Sequence, residues 1–262
     1  MPSVRVISYN VLSSELSGPD EFPHIAANDR DPSVRLQRLL AKLGDQIDDR
    51  RRRPIIALQE VSPAWHNALD VMFAARGYEL HTCVYKPEVG LGVALAIPRD
   101  EYIIVSVDQM PFDIRYPNRI LAAQLMRRDG TGMPLTVATV HTPCEYQDPE
   151  LMDSLTAAIS LHCVEAKVDL ICGDFNIRPS SNAYRIMSAQ WSSAMLSFFG
   201  HEPPFTCLAP HAPRDDFALD YIWTRQAPTS VQAVHMIDAA LTAIPNATEP
   251  SDHVMIGATV QF

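Results

Sequence analysis

The chain has 262 residues, of which 47% are hydrophobic and 20% are charged, so it can bury the core of a globular protein. Its formal net charge of −10 argues mildly against a protein that coats long nucleic-acid duplexes, because phosphate contacts dominate nucleic-acid affinity. The five cysteines form no C-x-x-C pair and no apolar run is long enough to span a bilayer, so we expect one soluble, intracellular domain over residues 1–262 rather than a disulfide framework or a membrane protein.

Helices alternate with many strands along the chain. Apolar residues recur at helical spacing from 33 to 47, and Ser62-Pro63 opens a second helix. Further helices are predicted near 149–166 and 182–189. Strands are predicted at 4–10, 55–58, 78–85, 91–97, 102–107, 119–127, 134–141, 168–172, 219–224, 230–236 and 254–262. Because several strands follow one another in hairpin succession between helices, this order predicts mixed sheets covered by helices, a layered α/β sandwich.

Polar residues stand at the ends of six of the predicted strands. They are Asn10, Glu60, His141, Asp174 with Asn176, Asp220, and Asp252 with His253. Strand ends at one rim of a sandwich are rigid, and the loops there can converge on one point. Carboxylates, amides and imidazoles from separate strands are the groups that phosphoryl transfer uses, and oxygen ligands of this kind suit Mg²⁺.

In chain order these residues form the set N…QE…H…GDFN…LDY…SDH. This set resembles that of the endonuclease/exonuclease/phosphatase superfamily, and the resemblance runs from Asn10 to His253. It implies an α/β four-layer sandwich, in which two mixed β-sheets pack face to face and are flanked by helices. It also implies a metal-dependent phosphoric ester hydrolase that uses Mg²⁺, with Mn²⁺ as a substitute.

The resemblance implies roles at the metal and at the attacking water. Glu60 would ligate Mg²⁺, with Asn10 and Asp252 close by as ligands or ligand positioners. Asp174 would orient and deprotonate the water, and Asn176 would hold that water or a phosphate oxygen through its amide.

Three further residues would act on the phosphate. His253 would hydrogen-bond the scissile phosphate, while Asp220 fixes its tautomer and stabilises the imidazolium. His141 would donate to the phosphate or the leaving oxygen from the opposite side, although it could also be a satisfied strand-end histidine. Metal and imidazoles together would neutralise charge on the equatorial oxygens, which is the dominant contribution in this reaction class.

The other residues of the set also have purely structural alternatives. Asn10 could cap the turn after the first strand, Glu60 could pair with an upstream arginine, and Asp220 could be the buried partner of an arginine. Asp174 and Asn176 could build an Asx-turn, which both residue types favour. The shared order along the chain favours the functional interpretation for the set as a whole.

Two segments, SYNVLS near the start and PPFTCLAP…DDFALDYIW near the end, resemble the deadenylase, nocturnin and 2′-phosphodiesterase branch. That branch acts on the 3′ ends of RNA or related nucleotides, so the resemblance implies a nuclease or phosphodiesterase that hydrolyses a 3′-terminal phosphodiester of single-stranded RNA or an oligonucleotide. Phe217 is the candidate for stacking on the terminal base, or else it is a core phenylalanine. The arginine run at 50–53 is interpreted as a solvated turn at the edge opposite the site.

Two other functions stay open. One is a phosphatase or phosphodiesterase for a small nucleotide, an inositol phosphate or a lipid headgroup. The other is an inactive scaffold on the same fold, which the clustered carboxylates disfavour because buried charges are costly to a fold that does not use them. We expect a monomer with no membrane partner and no recruitment through a leucine-rich repeat.

Overall fold

Two β-sheets form the centre of the computed structural model, which describes residues 3–48, 53–86, 90–113, 115–144, 147–208, 216–225 and 243–261. The first sheet has five strands, in the order β13 (Ile256–Gln261), β1 (Ser3–Asn10), β2 (Ile55–Gln59), β4 (Leu91–Pro98) and β3 (Tyr78–Lys86). Strands β1 and β2 are parallel, and the other neighbouring pairs of this sheet are antiparallel. Because β2, β4 and β3 alternate in direction, β3 runs the same way as β1 and β2.

The second sheet repeats this plan with six strands. Their order is β5 (Tyr102–Pro111), β6 (Arg119–Arg127), β7 (Leu135–His141), β8 (Leu170–Asp174), β12 (Asp220–Thr224) and β9 (Ser192–Ser193). Strands β7 and β8 are parallel, and the other neighbours are antiparallel. A separate two-stranded ladder joins β10 (Cys207–Leu208) to β11 (Asp216–Phe217). Both large sheets are therefore mixed, as predicted.

Three layers of buried apolar side chains hold the sheets and helices together. Between the sheets, Val6 and Leu95 of the first pack in one cluster with Val137 and Ile222 of the second. Helices α2 (Pro32–Ile47) and α3 (Pro63–Ala75) bury their apolar faces on the outside of the first sheet. Helices α4 (Pro149–Glu165) and α5 (Asn182–Ser188) do the same on the second. This helix–sheet–sheet–helix arrangement confirms the four-layer sandwich.

The start and the buried face of α2 follow directly from its sequence. Asp31 caps the helix by accepting hydrogen bonds from two backbone N–H groups, at 2.8 and 3.1 Å, and Pro32 takes the first helical position. Leu39 and Leu43, spaced by one helical turn, are fully buried against the sheet. Among the described helices, none has the length and apolar character needed to cross a bilayer.

The long predicted elements agree with the structure to within a few residues, whereas the short ones were missed. The helices α1 (Ala27–Arg30) and α6 (Ala194–Phe199), a 3₁₀ turn (Ser14–Leu16) and the two-residue strands β9, β10 and β11 were not predicted. Elements this short contain fewer than two full periods of any apolar pattern, which is too few for periodicity to reveal them. The strand predicted at 230–236 lies outside the described residues.

Candidate active site

The polar strand ends meet at one rim of the sandwich because both parallel strand pairs end there. Asn10 is paired with Gln59 at the end of β1 and β2, and His141 is paired with Asp174 at the end of β7 and β8. Strand β12 is antiparallel to β8 and starts at this rim, with Asp220 opposite Asp174. Since the two sheets pack face to face, the four strand ends form one cluster.

The side-chain amide of Asn10 lies at the centre of this cluster and is fully buried. Its Nδ2 donates to Glu60 Oε1 at 2.9 Å and to Asp174 Oδ2 at 3.0 Å, and it lies 3.5 Å from His253 Nε2. Its Oδ1 accepts from the backbone N–H of Leu12 at 3.0 Å, which fixes the orientation of the amide. Asn10 therefore presents its nitrogen to the two carboxylates, an arrangement that positions ligands rather than supplies an oxygen.

Glu60 is held in the cluster by an unusual backbone conformation. Its φ of +56° is in the left-handed region, where a non-glycine residue costs roughly 1–3 kcal/mol. The carboxylate accepts from Ser13 N at 3.1 Å in addition to the Asn10 amide. Burial raises the pKa of Glu60, but the nearby His141 imidazole and the Asn10 hydrogen bond outweigh it, so the net pKa is lowered. Glu60 is thus a carboxylate that favours its ionised form and stands on a residue of left-handed backbone conformation.

Glu60, His141 and Asp174 are close enough to bind one cation together. Each offers a ligand atom, and these atoms all lie within 4.8 Å of one another. His141 Nε2 is 3.8 Å from Glu60 Oε1 and 3.7 Å from Asp174 Oδ2. Mg²⁺ is usually bound through one or two protein carboxylates and completes its shell with water and phosphate oxygens, so the two carboxylates of this group fit the ion, whereas the imidazole is not one of its preferred ligands.

Asp174 is buried at the end of β8 and starts a tight turn. Its Oδ1 accepts from the backbone N–H of Asn176 at 2.9 Å, which is the Asx-turn that the sequence allowed as an alternative. Asn176 has a φ of +49°, and its Nδ2 donates to Thr142 O at 2.9 Å, which joins the loops after β7 and β8. Burial and then the negative charge of Asp220 raise the pKa of Asp174. The turn leaves Oδ2 directed at the cluster.

Asp220 and His253 form a buried carboxylate–imidazole pair. His253 Nδ1 lies 2.8 Å from Asp220 Oδ2, and its Nε2 lies 3.7 Å from Asp174 Oδ2. The hydroxyl of Thr206 accepts from the backbone N–H of Asp220 at 3.0 Å and orients the start of β12. Burial lowers the pKa of His253, but the negative charges around it, that of Asp220 first, outweigh burial and raise the pKa well above its ordinary value. The imidazole therefore favours its cationic form, which attracts a phosphate.

His141 has a different partner, which the sequence had not indicated. Its Nδ1 is 2.7 Å from the hydroxyl of Tyr85, and its backbone oxygen accepts from Asn118 Nδ2 at 2.7 Å. Tyr85 stands near the end of β3, which reaches the same rim because it runs parallel to β1 and β2. Tyr85 could have been recognised as a site residue only if the order of the strands in the first sheet had been known.

A buried arginine connects the loop that follows Asn10 to the loop that carries His253. The side chain of Arg35 is fully buried and lies 5.0 Å from the ring centre of Trp65. Its guanidinium donates to the backbone oxygens of residues 11, 12 and 13 after β1, and to that of Pro250 at 2.6 Å before β13. One signal could have found it, because Arg35 lies on the same helical face as the core residues of α2, one turn before Leu39.

Three sequence-based candidates are not members of the group formed by Glu60, His141 and Asp174, although Asp252 lies close enough to Glu60 for their charges to repel. The carboxylate of Asp252 clusters with Cys207 and His253, with ligand atoms within 4.8 Å of one another. The backbone of Phe217 pairs with Cys207, but its side chain lies outside the described part of the structure. Of the arginine run, 50–52 is also outside it, and Arg53 binds Asp100 beside a cavity of about 790 Å³ at the opposite rim.

Comparison with known proteins supports the fold. Residues 7–253 match the model of the Endonuclease/Exonuclease/phosphatase family. The structure of ANGEL2, a 2′,3′-cyclic phosphatase, in complex with adenosine-2′,3′-vanadate is similar, with a TM-score of 0.82, 16% identity, and coverage of 98% of this chain and 95% of that one. The structure of the human nocturnin catalytic domain with a bound sulfate anion is also similar. Its TM-score is 0.76 at 20% identity, and the match covers 100% of this chain and 94% of that one.

A third similar structure is that of D. rerio TDP2 complexed with a single-strand DNA product. Its TM-score is 0.71 at 17% identity, and the match covers 100% of both chains. At these identities the likeness to all three structures is one of fold. No curated protein sequence matches the chain.

Proposed function

We propose, from the premise that the chain belongs to the endonuclease/exonuclease/phosphatase family, that it is an Mg²⁺-dependent phosphodiesterase acting on the 3′-terminal phosphodiester of single-stranded RNA or an oligonucleotide. Members of this family are phosphoesterases, so the metal and the substrate are the specific parts of the proposal. The similar structures include nocturnin, which belongs to the branch that the sequence resembles.

One observation carries the proposal. A single buried amide, Asn10 Nδ2, binds both Glu60 and Asp174, and the Nε2 atom of His253 lies 3.5 Å from it. Two carboxylates and a cationic imidazole thus face one point, although they come from three distant parts of the chain. A fold gains no stability from gathering such charges, so the arrangement supports a site for a cation and a phosphate.

The carboxylates would hold the metal and the water. Glu60 would be the principal ligand, with Asn10 as the positioner of both carboxylates and with Asp252 close by. Mg²⁺, when bound, would withdraw charge from the phosphate oxygens and lower the pKa of a bound water. Asp174 would orient the attacking water and accept its proton, and the raised pKa that burial gives this carboxyl suits a proton acceptor. Asn176 would keep Asp174 oriented through the Asx-turn and hold the water or a phosphate oxygen.

The two imidazoles would act on the phosphate from different sides. His253 would donate from Nε2 to a non-bridging oxygen, because Asp220 holds its Nδ1 proton. His141 would donate to the phosphate or the leaving oxygen, with Nδ1 held by Tyr85. Both donors are preorganised by buried partners, so little reorganisation is needed as charge develops in the transition state. Phe217 is proposed to stack on the terminal base.

A substrate panel tests this function. Metal-free protein would be given Mg²⁺ or Mn²⁺ and tested on oligo(A), 2′,5′-linked oligoadenylate, RNA with a 2′,3′-cyclic phosphate end, DNA, inositol phosphates and sphingomyelin. Release of AMP from oligo(A) supports the proposal. Turnover of the small phosphates alone would replace it with a phosphatase for small substrates. Absence of any Mg²⁺-dependent turnover, together with no bound metal, would indicate an inactive scaffold.

Two matched variants test the role of Asp174. Asp174→Asn keeps the shape of the side chain but removes the proton acceptor, so turnover is expected to fall by about 10²- to 10⁴-fold. Asp169→Asn serves as the control, because Asp169 precedes the opposite end of β8 and accepts from Thr136 N at 2.8 Å. The control should retain wild-type turnover. Equal activity of both variants would contradict the assignment of the base.

A further inference from the structure

A thiol stands beside the proposed phosphate-binding histidine. Cys207 and His253 are paired as an isolated antiparallel bridge. On one side of this pair the backbone N–H of Leu208 donates to Asp252 O at 3.0 Å. On the other side the backbone N–H of Val254 donates to Thr206 O at 2.8 Å. The bridged residues are thus a non-hydrogen-bonded pair, in which the two side chains lie on the same face and closest together. Both side chains are buried.

The Asp252 carboxylate completes a group of three different ligand types. A sulfur of Cys207, an oxygen of Asp252 and a nitrogen of His253 all lie within 4.8 Å of one another. A thiolate selects a soft or borderline ion such as Zn²⁺, which binds sulfur, nitrogen and carboxylate oxygen together. Mg²⁺ takes oxygen ligands in an octahedral shell and is not suited to this set. The donors here therefore differ in kind from the carboxylate pair of Glu60 and Asp174.

The hydrogen bonding of His253 also favours metal binding at its Nε2 atom. Asp220 holds Nδ1 at 2.8 Å, which leaves Nε2 as the atom available to a metal. A carboxylate that binds the second ring nitrogen is the usual partner of a metal-bound histidine, because it fixes the ring and raises its basicity. Asp174 Oδ2, at 3.7 Å from Nε2, lies within reach of the same position.

From this geometry we infer a second cation site, formed by Cys207, Asp252 and His253, which binds Zn²⁺ and thereby inhibits the enzyme. Binding forms bonds from the metal to sulfur, oxygen and Nε2 and releases the thiol proton, and the proton of Nε2 where it is present, to the solvent. An ion bound to Nε2 prevents the imidazole from donating a hydrogen bond to the phosphate. The inhibitory part rests on the proposed function, whereas the binding part does not.

Cobalt absorption tests the site without any measurement of activity. Metal-free protein would be titrated with Co²⁺, which gives a near-ultraviolet charge-transfer band when it binds a thiolate. A Co²⁺ ion bound by carboxylate and imidazole alone gives no such band, so the signal reports only an ion on sulfur. The band should saturate in the wild type at one sulfur-bound ion per chain. It should disappear on addition of Zn²⁺ and persist in excess Mg²⁺.

Variants of two cysteines identify the ligand. Cys207→Ser and Cys207→Ala should abolish the band, while Cys144→Ser, which alters the exposed thiol, should retain it. Thermal unfolding of each variant shows whether it is folded. Two different replacements at Cys207 are used so that the test still works if one of the variants does not fold. Absence of the band in the folded wild type, or its survival in folded Cys207→Ala, would overturn the site.

Inhibition is measured separately, on the best substrate of the panel. Zn²⁺ should inhibit Mg²⁺-dependent turnover of the wild type, and the inhibition should be at least about tenfold weaker in Cys207→Ser. Equal inhibition of both proteins would overturn the inhibitory role even where the band is present. If the protein hydrolyses nothing in the panel, the proposed function has failed, and the absorption titration still decides whether the site exists.

Discussion

Replacing Gly173 by alanine should both destabilise the fold and displace the active site. Gly173 is paired with Val140 in the adjacent parallel strand, and Asp174 follows it directly. A Cβ at this position would lie 3.0 Å from the carbonyl carbon of Val140 and 3.1 Å from its Cγ2, and closer still to the carbonyl oxygen. The obstacle is backbone, so no side-chain rotation can relieve the clash.

The magnitude follows from that contact. An ordinary carbon–oxygen contact is about 3.3 Å, so β7 and β8 must separate by roughly 1 Å to admit the methyl group. Overpacking of this kind costs about 1–3 kcal/mol, and the rigid strand pair places Gly173→Ala near the upper end. The same displacement carries Asp174 away from Asn10 and Glu60. A misplacement of about 1 Å in an active site can lower turnover by roughly 10²-fold.

Urea unfolding and Mg²⁺-dependent turnover measure the two effects, with Gly130→Ala as the control. A Cβ at Gly130 meets nothing within 4 Å, but φ is +72°, so this variant carries only the backbone cost of about 1 kcal/mol. Gly173→Ala should therefore be the less stable and by far the less active of the two. Equal stabilities, with turnover unchanged in both, would refute the close approach of the strands as the reason for glycine.

Three other predictions concern the partners of the site residues. Asp220→Asn removes the charge that raises the pKa of His253, so the alkaline limb of the pH–rate profile should move to lower pH; an unmoved limb would contradict this source of the shift. Arg35→Met leaves several buried carbonyl oxygens without donors, so urea unfolding should show a loss of at least about 2 kcal/mol, and wild-type stability would exclude the guanidinium as the link between the two loops. Tyr85→Phe removes the hydroxyl from His141 Nδ1, so kcat should fall roughly fivefold, for about 1 kcal/mol, with KM unchanged; a change confined to KM would place the tyrosine at substrate binding instead.

The longer elements of the fold could be predicted because each contains its own signal. Helix α2 shows a cap, an initial proline and an apolar repeat, and strands such as β4 and β6 show runs of apolar residues that are long enough to recognise. Strands β9 to β11 contain two residues each: β9 pairs with β12, and β10 pairs with β11 on one side and with His253 on the other. Their existence depends on tertiary contacts, which no local pattern encodes.

The site could be predicted in its residue types but not in its pairings. Asn10, Glu60, Asp174 and His253 were candidates because polar residues follow apolar strands, and the structure places them at one rim. Tyr85 was not a candidate, because its arrival at that rim depends on the order of β1, β2, β4 and β3 across the sheet. Strand spacing along the chain does not specify that order.

The sequence by itself determined which residues could serve as ligands, acids and bases, and which long segments would be helix or strand, because chemical type and apolar period are local properties. Only the tertiary structure decided that the nitrogen of the Asn10 amide faces the carboxylates, and that Cys207 stands beside His253. These facts depend on the register between strands that are distant in the chain. A shift of one residue would turn every side chain of a strand to the other face, so the packing of both sheets is what brings these atoms together.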